Sequence, residues 1–182
     1  ILERDGSIQV VGTAMDGAFG LKKIEDLRPQ VVTLDLEMPR MDGIETLREI
    51  TKRFRIPVIV VSAHTTEGAS ATFKALAMGA FDFVAKPKDA ASAHMEQIAT
   101  ELIAKIKVAA GTEITRVQPE IHLGPRPVAK APLQKTRPTK VVAIGISTGG
   151  PNALQYLLSQ LPGDFPGSLV VVQHMPEGFT EM

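Results

Sequence analysis

Short apolar runs alternate with helical spacing over the first hundred residues. Ile8–Val11, Val31–Leu34, Val58–Val61 and Phe81–Ala85 are rich in β-branched and aromatic residues, and each reads as a strand. Between them Leu21, Ile24 and Leu27 recur at helical spacing, as do Ile44, Leu47, Ile50 and Phe54. A third helix carries Phe73, Leu76 and Ala77 and closes near Gly79. A fourth repeats Met95, Ile98, Ala99, Leu102, Ile103 and Ile106, with Lys and Glu on its other face. Continuous apolar strands alternating with helices predict an α/β fold, a parallel sheet covered on both sides.

From Val108 to Thr139 the pattern fails. Five prolines (Pro119, Pro125, Pro127, Pro132, Pro138) interrupt it, and Arg116, Arg126, Lys130, Lys135 and Arg137 outnumber Glu113 and Glu120. This stretch reads as a partly extended linker, with a phosphate-binding patch as the alternative use of its basic excess. As a flexible coil it spans roughly 30 Å, enough for flanking domains to touch. Order resumes with the strand Val141–Ile146 and a Gly-rich turn. A helix follows with Pro151 in its first turn and Leu154, Leu157, Leu158 and Leu161 on one face, then the strand Leu169–Val172. The expected organisation is a first domain over 1–107, a linker over 108–139 and the start of a second α/β domain over 140–182. The chain opens without Met, on what reads as a helix tail closing at Gly6, and stops just after a strand and a Met-Pro turn. It is therefore expected to be an internal piece of a longer protein.

Composition narrows the function classes. Hydrophobic residues at 44% and charged residues at 22% are globular proportions. Twenty Lys+Arg balance twenty Asp+Glu, so no global field draws in nucleic acid or an anionic membrane. The absence of cysteine removes disulfides, thiolate metal sites and cysteine nucleophiles, and fits a reducing compartment. No apolar run approaches the ~18 residues of a membrane span. A soluble, cytoplasmic protein is expected.

Two constellations carry chemistry. Asp35 follows Val31–Leu34, at the carboxyl end of a buried strand, where open α/β sheets bind ligands. Capping does not need it, because Asp42-Gly43-Ile44-Glu45 already supplies a capping box for the next helix. The other strand ends bring Ser62 and Lys86 to the same edge, a hydroxyl and an ammonium that can stabilise a phosphoryl group on Asp35. Leu34-Asp35-Leu36-Glu37-Met38-Pro39-Arg40-Met41-Asp42-Gly43, then Ser62-Ala63, then Lys86-Pro87, resemble the receiver domain of two-component response regulators. The resemblance implies a flavodoxin-like, doubly wound parallel sheet whose first strand is missing. It implies phosphorylation of Asp35 by a histidine kinase, contact of Lys86 with the phosphoryl group, and displacement of Ser62 and Phe83 as a switch. Receivers hold Mg²⁺ with an acidic pair after the first strand. That pair is missing, leaving Asp35 and the backbone carbonyl of Glu37, so this piece is expected to phosphorylate poorly.

The second constellation is Gly145-Ile146-Ser147-Thr148-Gly149-Gly150-Pro151, whose first five residues match G-x-S-x-G between strand and helix. A phosphate-cradling loop and a plain structural turn remain alternatives, although neither G-x-G-x-x-G nor a Walker lysine is present. His174 ends the next strand, so parallel neighbours bring it to the edge that carries Ser147, where it can act as base to the hydroxyl. His64, His94 and His122 have no such setting. Together with Gln173-His174-Met175-Pro176-Glu177-Gly178-Phe179-Thr180, the turn resembles the catalytic domain of the chemotaxis protein-glutamate methylesterases. Receiver, Pro-rich linker and this second, Rossmann-like hydrolytic domain are that family's layout.

The resemblance implies hydrolysis of glutamyl methyl esters on methyl-accepting chemoreceptors, and deamidation of receptor glutamines, without a cofactor for the hydrolysis. Ser147 is then the nucleophile and His174 the general base and acid, with Thr148 and Gly149 in the active-site turn. The family's orienting aspartate lies beyond Met182, so the piece alone is expected to be inert. A chemotaxis histidine kinase is the implied phosphodonor, with no nucleic acid and no membrane insertion. Two rivals remain: a receiver driving a binding output such as a transcription factor, and a nucleotide-binding module built on Gly145–Gly150. The first predicts a basic helix-turn-helix after the linker, where strand-turn-helix is read instead.

Overall fold

The computed structural model describes residues 1–63, 65–87, 92–112, 140–175 and 179. The chain divides into two units, one of Ile1–Ile114 with Met175–Met182, the other of Thr115–His174.

Among the described residues of the first unit, three strands form a parallel sheet in the order β1 (Val32–Asp35), β2 (Val58–Ser62), β3 (Asp82–Ala85). Four helices accompany them: α1 (Gly17–Leu27), α2 (Gly43–Arg53), α3 (Thr66–Ala77) and α4 (Ser92–Ala110). The alternation read from the sequence is thus realised. Val58, Ile59, Val60 and Val84 are fully buried, as sheet residues covered on both faces must be. One cluster joins Leu21 and Ile24 of α1 to Leu47 and Ile50 of α2, Leu34 and Leu36, and Leu76 of α3. A second sets Ile106 and Ala109 of α4 against Ile59 and Val84. Helix starts follow their capping chemistry: Asp16, Asp42 and Thr65 each accept a backbone N–H from the first turn.

Two expectations are corrected. Ile8–Val11 is not a strand but irregular chain, and Val10 and Val11 are exposed. A strand exists only where its N–H and C=O groups find a neighbouring ladder, and β1 pairs only with β2 among the described residues. The fourth helix also runs past residue 107 to Ala110. The chain's opening residues form a short 3-10 helix, Leu2–Arg4, tied to α4 by the pair Lys107–Asp5 at 2.6 Å.

In the second unit β4 (Lys140–Ile146) and β5 (Gly167–Gln173) pair in parallel over seven residues, joined through α5 (Gly150–Gln160). Proline stands in the first turn of α5, as its fixed φ favours. Val141, Val172, Leu157 and Leu158 are exposed. His64, His122, residues 113–139 of the linker expected over 108–139, and the stretch after Met175 except Phe179 lie outside the described residues. Among the described residues no helix is long and apolar enough to cross a membrane.

Candidate functional site

Asp35 is the last residue of β1, in register with Val61, while Ser62 ends β2 opposite Ala85. Lys86 follows β3, its N–H bonded to the Ser62 carbonyl at 2.7 Å. This ladder brings the Lys86 ammonium to 2.7 Å from Asp35 Oδ2, with Glu37 Oε2 at 3.8 Å. The other carboxylate oxygen of Asp35 accepts the Glu37 N–H at 2.9 Å. Asp35 and Lys86 are both half-exposed, so the carboxylate is open to an incoming reagent. Ser62 reaches the same edge but is buried, and its hydroxyl donates to the Gly68 carbonyl at 3.0 Å rather than to Asp35. Phe83 lies inside the unit, 2% exposed, its ring stacked on Phe179 with centroids 5.0 Å apart.

Three supporting features were not singled out from sequence. Gly43 opens α2, and its N–H bonds the Leu36 carbonyl at 3.1 Å. A Cβ there would stand 2.3 Å from the Asp35 carbonyl oxygen and 2.5 Å from Leu36 Cα. Glycine alone lets the helix meet the strand end so closely; the Asp-Gly pair at the helix start was the available signal. Asp16, buried at the start of α1, accepts the Phe19 N–H at 3.0 Å and an ion pair from Arg40, which sits in the left-handed region at φ 65°. The Phe19 N–H first, then the Arg40 guanidinium, holds the Asp16 carboxyl below the usual carboxylate range. This ties the loop after Asp35 to α1. The third is a buried lysine, Lys105, whose ammonium meets Asp82, Glu101 and the Phe83 carbonyl.

Among the described residues no group of three or more His, Cys, Asp or Glu gathers to hold a metal ion. A receiver is consistent with Mg²⁺-dependent phosphorylation. Asp35 and the Glu37 carbonyl alone do not fit an ion that demands near-octahedral oxygen ligation.

In the second unit Ile146 is in register with Gln173, so Ser147 and His174 are the first residues past two paired strand ends. The His174 N–H bonds the Ile146 carbonyl at 3.1 Å, and the Gln173 side chain donates to the Ser147 carbonyl at 3.3 Å. Gly149, at φ 70°, caps α5, and the Gly150 N–H returns to the Ser147 carbonyl at 2.8 Å. Both Ser147 and His174 are exposed, and no hydrogen bond joins the hydroxyl to the ring. Thr148 and Gly149 lie in the turn between β4 and α5.

An aspartate and a lysine in contact at the carboxyl edge of a parallel sheet invite comparison with known proteins. The response regulator receiver domain family matches residues 1–98, and the CheB methylesterase family matches residues 142–182. The crystal structure of the response regulator domain of Thermotoga maritima CheB is similar at 42% identity and TM-score 0.54, covering 60% of this chain and 82% of that one. The protein-glutamate methylesterase/protein-glutamine glutaminase 2 of Koribacter versatilis (strain Ellin345) is 61% identical over 100% of this chain and 52% of its own length. The corresponding protein of Bacillus subtilis (strain 168) is 44% identical over 98% of this chain and 52% of its own length. The chain is a response-regulator receiver joined to methylesterase sequence. It belongs to the CheB protein-glutamate methylesterase family, and spans about half the length of the curated relatives it matches.

Proposed function

We propose that this chain carries the phosphoacceptor and the attacking serine of a phosphorylation-activated protein-glutamate methylesterase of bacterial chemotaxis, which also deamidates glutamine. The reading is supported above all by the β4–β5 register, which gives Ser147 and His174 neighbouring strand ends in a segment similar to the methylesterase family. The Ser147 oxygen attacks the carbonyl carbon of a glutamyl methyl ester while His174 takes the hydroxyl proton. Collapse of the tetrahedral intermediate expels methoxide, which leaves as methanol with the proton from His174. Water then repeats the sequence on the acyl-enzyme, releasing glutamate and restoring the serine. With glutamine the leaving group is ammonia. In the receiver the Asp35 carboxylate attacks the phosphorus of the donor's phosphoryl group, forming an acyl phosphate as the bond from phosphorus to the donor breaks and the donor leaves, and Lys86 neutralises the transferred charge. Chemoreceptors are the substrate, a chemotaxis histidine kinase the phosphodonor and the cytoplasm the location.

The test is methanol release from methyl-esterified chemoreceptor membranes by the full-length protein beside its Ser147→Ala variant. Release that requires Ser147 and rises with a phosphodonor is expected. No release from folded, phosphorylated protein refutes the esterase reading.

A further inference from the structure

Lys105 is a cation buried in a receiver core, only 8% exposed, and the proposed chemistry gives it no part. It lies on α4, on the side turned to β3. Its ammonium is 2.5 Å from the Phe83 carbonyl oxygen, 2.9 Å from Glu101 Oε1 and 3.3 Å from Asp82 Oδ1. The same nitrogen sits over the Phe83 ring, 5.2 Å from its centroid. Asp82, itself 2% exposed, accepts the Phe83 N–H at 2.7 Å through the oxygen that faces Lys105. Phe83 is thus held at its N–H, its C=O and its ring by one charged cluster. Taking an ammonium out of water costs free energy unless every proton finds an acceptor, and here three oxygens surround it. A lysine that only covered apolar surface would extend its ammonium into solvent instead.

We propose that Lys105 is a positioning residue for the receiver switch: by gripping the carbonyl and ring of Phe83, it sets how readily that ring changes place when Asp35 is phosphorylated. The proposal rests on the reading of Phe83 as the switch aromatic. Phe83 is two strands from Asp35 in the sheet order, and its main chain is held by Asp82 of its own strand and by Lys105 of α4. Weakening this hold favours the displaced ring before any phosphoryl group arrives.

The experiment uses the full-length protein labelled with 4-fluorophenylalanine, the Phe83 fluorine signal being assigned by its loss in Phe83→Leu. Spectra are recorded with and without a small phosphodonor, while Asp35 occupancy is followed separately. Lys105→Met strands the Asp82 carboxylate and risks misfolding; Glu101→Gln keeps the lysine and weakens its hold, so the pair is used together. Expected is a Phe83 signal in unphosphorylated Glu101→Gln displaced toward the phosphorylated position, further displaced in Lys105→Met where it folds, with basal methanol release raised in the same order. If the unsubstituted signal moves on phosphorylation and the variants overlay it in both states, even with a lowered thermal midpoint, Lys105 is merely structural and the proposal falls alone. If the unsubstituted signal stays put while Asp35 is phosphorylated, the switch reading fails and this proposal with it.

Discussion

Replacing Gly43 by alanine should destabilise the receiver, although helix propensity argues the opposite. At an ordinary first-turn position alanine gains up to about 1 kcal/mol over glycine. Here the added Cβ would lie 2.3 Å from the Asp35 carbonyl oxygen and 2.5 Å from Leu36 Cα, where ordinary contact begins at 3.4 Å. Both obstacles are backbone, so no side-chain rotation relieves them. The start of α2 must retreat by roughly 1 Å, stretching the Gly43–Leu36 hydrogen bond and loosening Leu47 and Ile50, both fully buried. Overpacking of this kind costs about 1–3 kcal/mol, and a weakened hydrogen bond about 1 kcal/mol more. Net of propensity, the loss is about 1–3 kcal/mol. Amide hydrogen exchange of α2 and β1 in the full-length protein reads this unit alone, and globally exchanging amides should exchange about tenfold to a hundredfold faster. On the proposed role of Asp35, phosphorylation should slow as well, because the crowded carbonyl belongs to that residue. A Gly43→Ala protein with unchanged or increased protection would refute the reasoning, leaving Gly43 as an ordinary helix-start residue.

Lys86→Met removes the cation 2.7 Å from Asp35. Losing one charge-assisted contact of about 1.5–3 kcal/mol should lower steady-state phosphorylation by about tenfold or more, measured as labelled phosphate retained; an unchanged level would take Lys86 out of the site. Asp5 offers a pH test. The Lys107 ammonium, then Ser7, draws its pKa from 3.8 down to about 2. A depressed carboxyl stabilises the fold fully above its unfolded value, and that contribution disappears as pH falls through the folded one. Thermal midpoints of the unsubstituted protein and Asp5→Asn should therefore differ at about pH 5 and converge as pH falls from about 4 to about 2. A gap that stays constant over that window would exclude the Asp5–Lys107 tie as its cause.

Most of the sheet and helix order was legible because burial on both faces writes itself as continuous apolar runs and 3-4 stripes. Ile8–Val11 shows the limit of that signal: a run of apolar residues reports a wish for burial, whereas a strand requires a neighbour, which no periodicity reveals. The strand-end positions of Asp35, Lys86, Ser147 and His174 were legible for the same reason as the strands. What those side chains touch was not. Ser62 ends β2 at that edge, but the engagement of its hydroxyl by the Gly68 carbonyl, a contact set by where α3 begins, was not legible. Lys105 was invisible as a buried group, because a lysine in an amphipathic helix looks like part of the polar face. Only the approach of α4 to β3 turns it inward.

The cluster around Phe83 also bears on aggregation. Among the described residues β3 pairs with β2 alone, so its far side is a sheet margin that a second chain could extend by main-chain pairing. At Phe83 both groups such pairing would use already have partners, the N–H in the Asp82 carboxylate and the C=O in the Lys105 ammonium. An intruding strand would have to displace a buried ion pair before making its first bond there. The margin is defended by charge inside the protein, leaving the outer surface free for other uses.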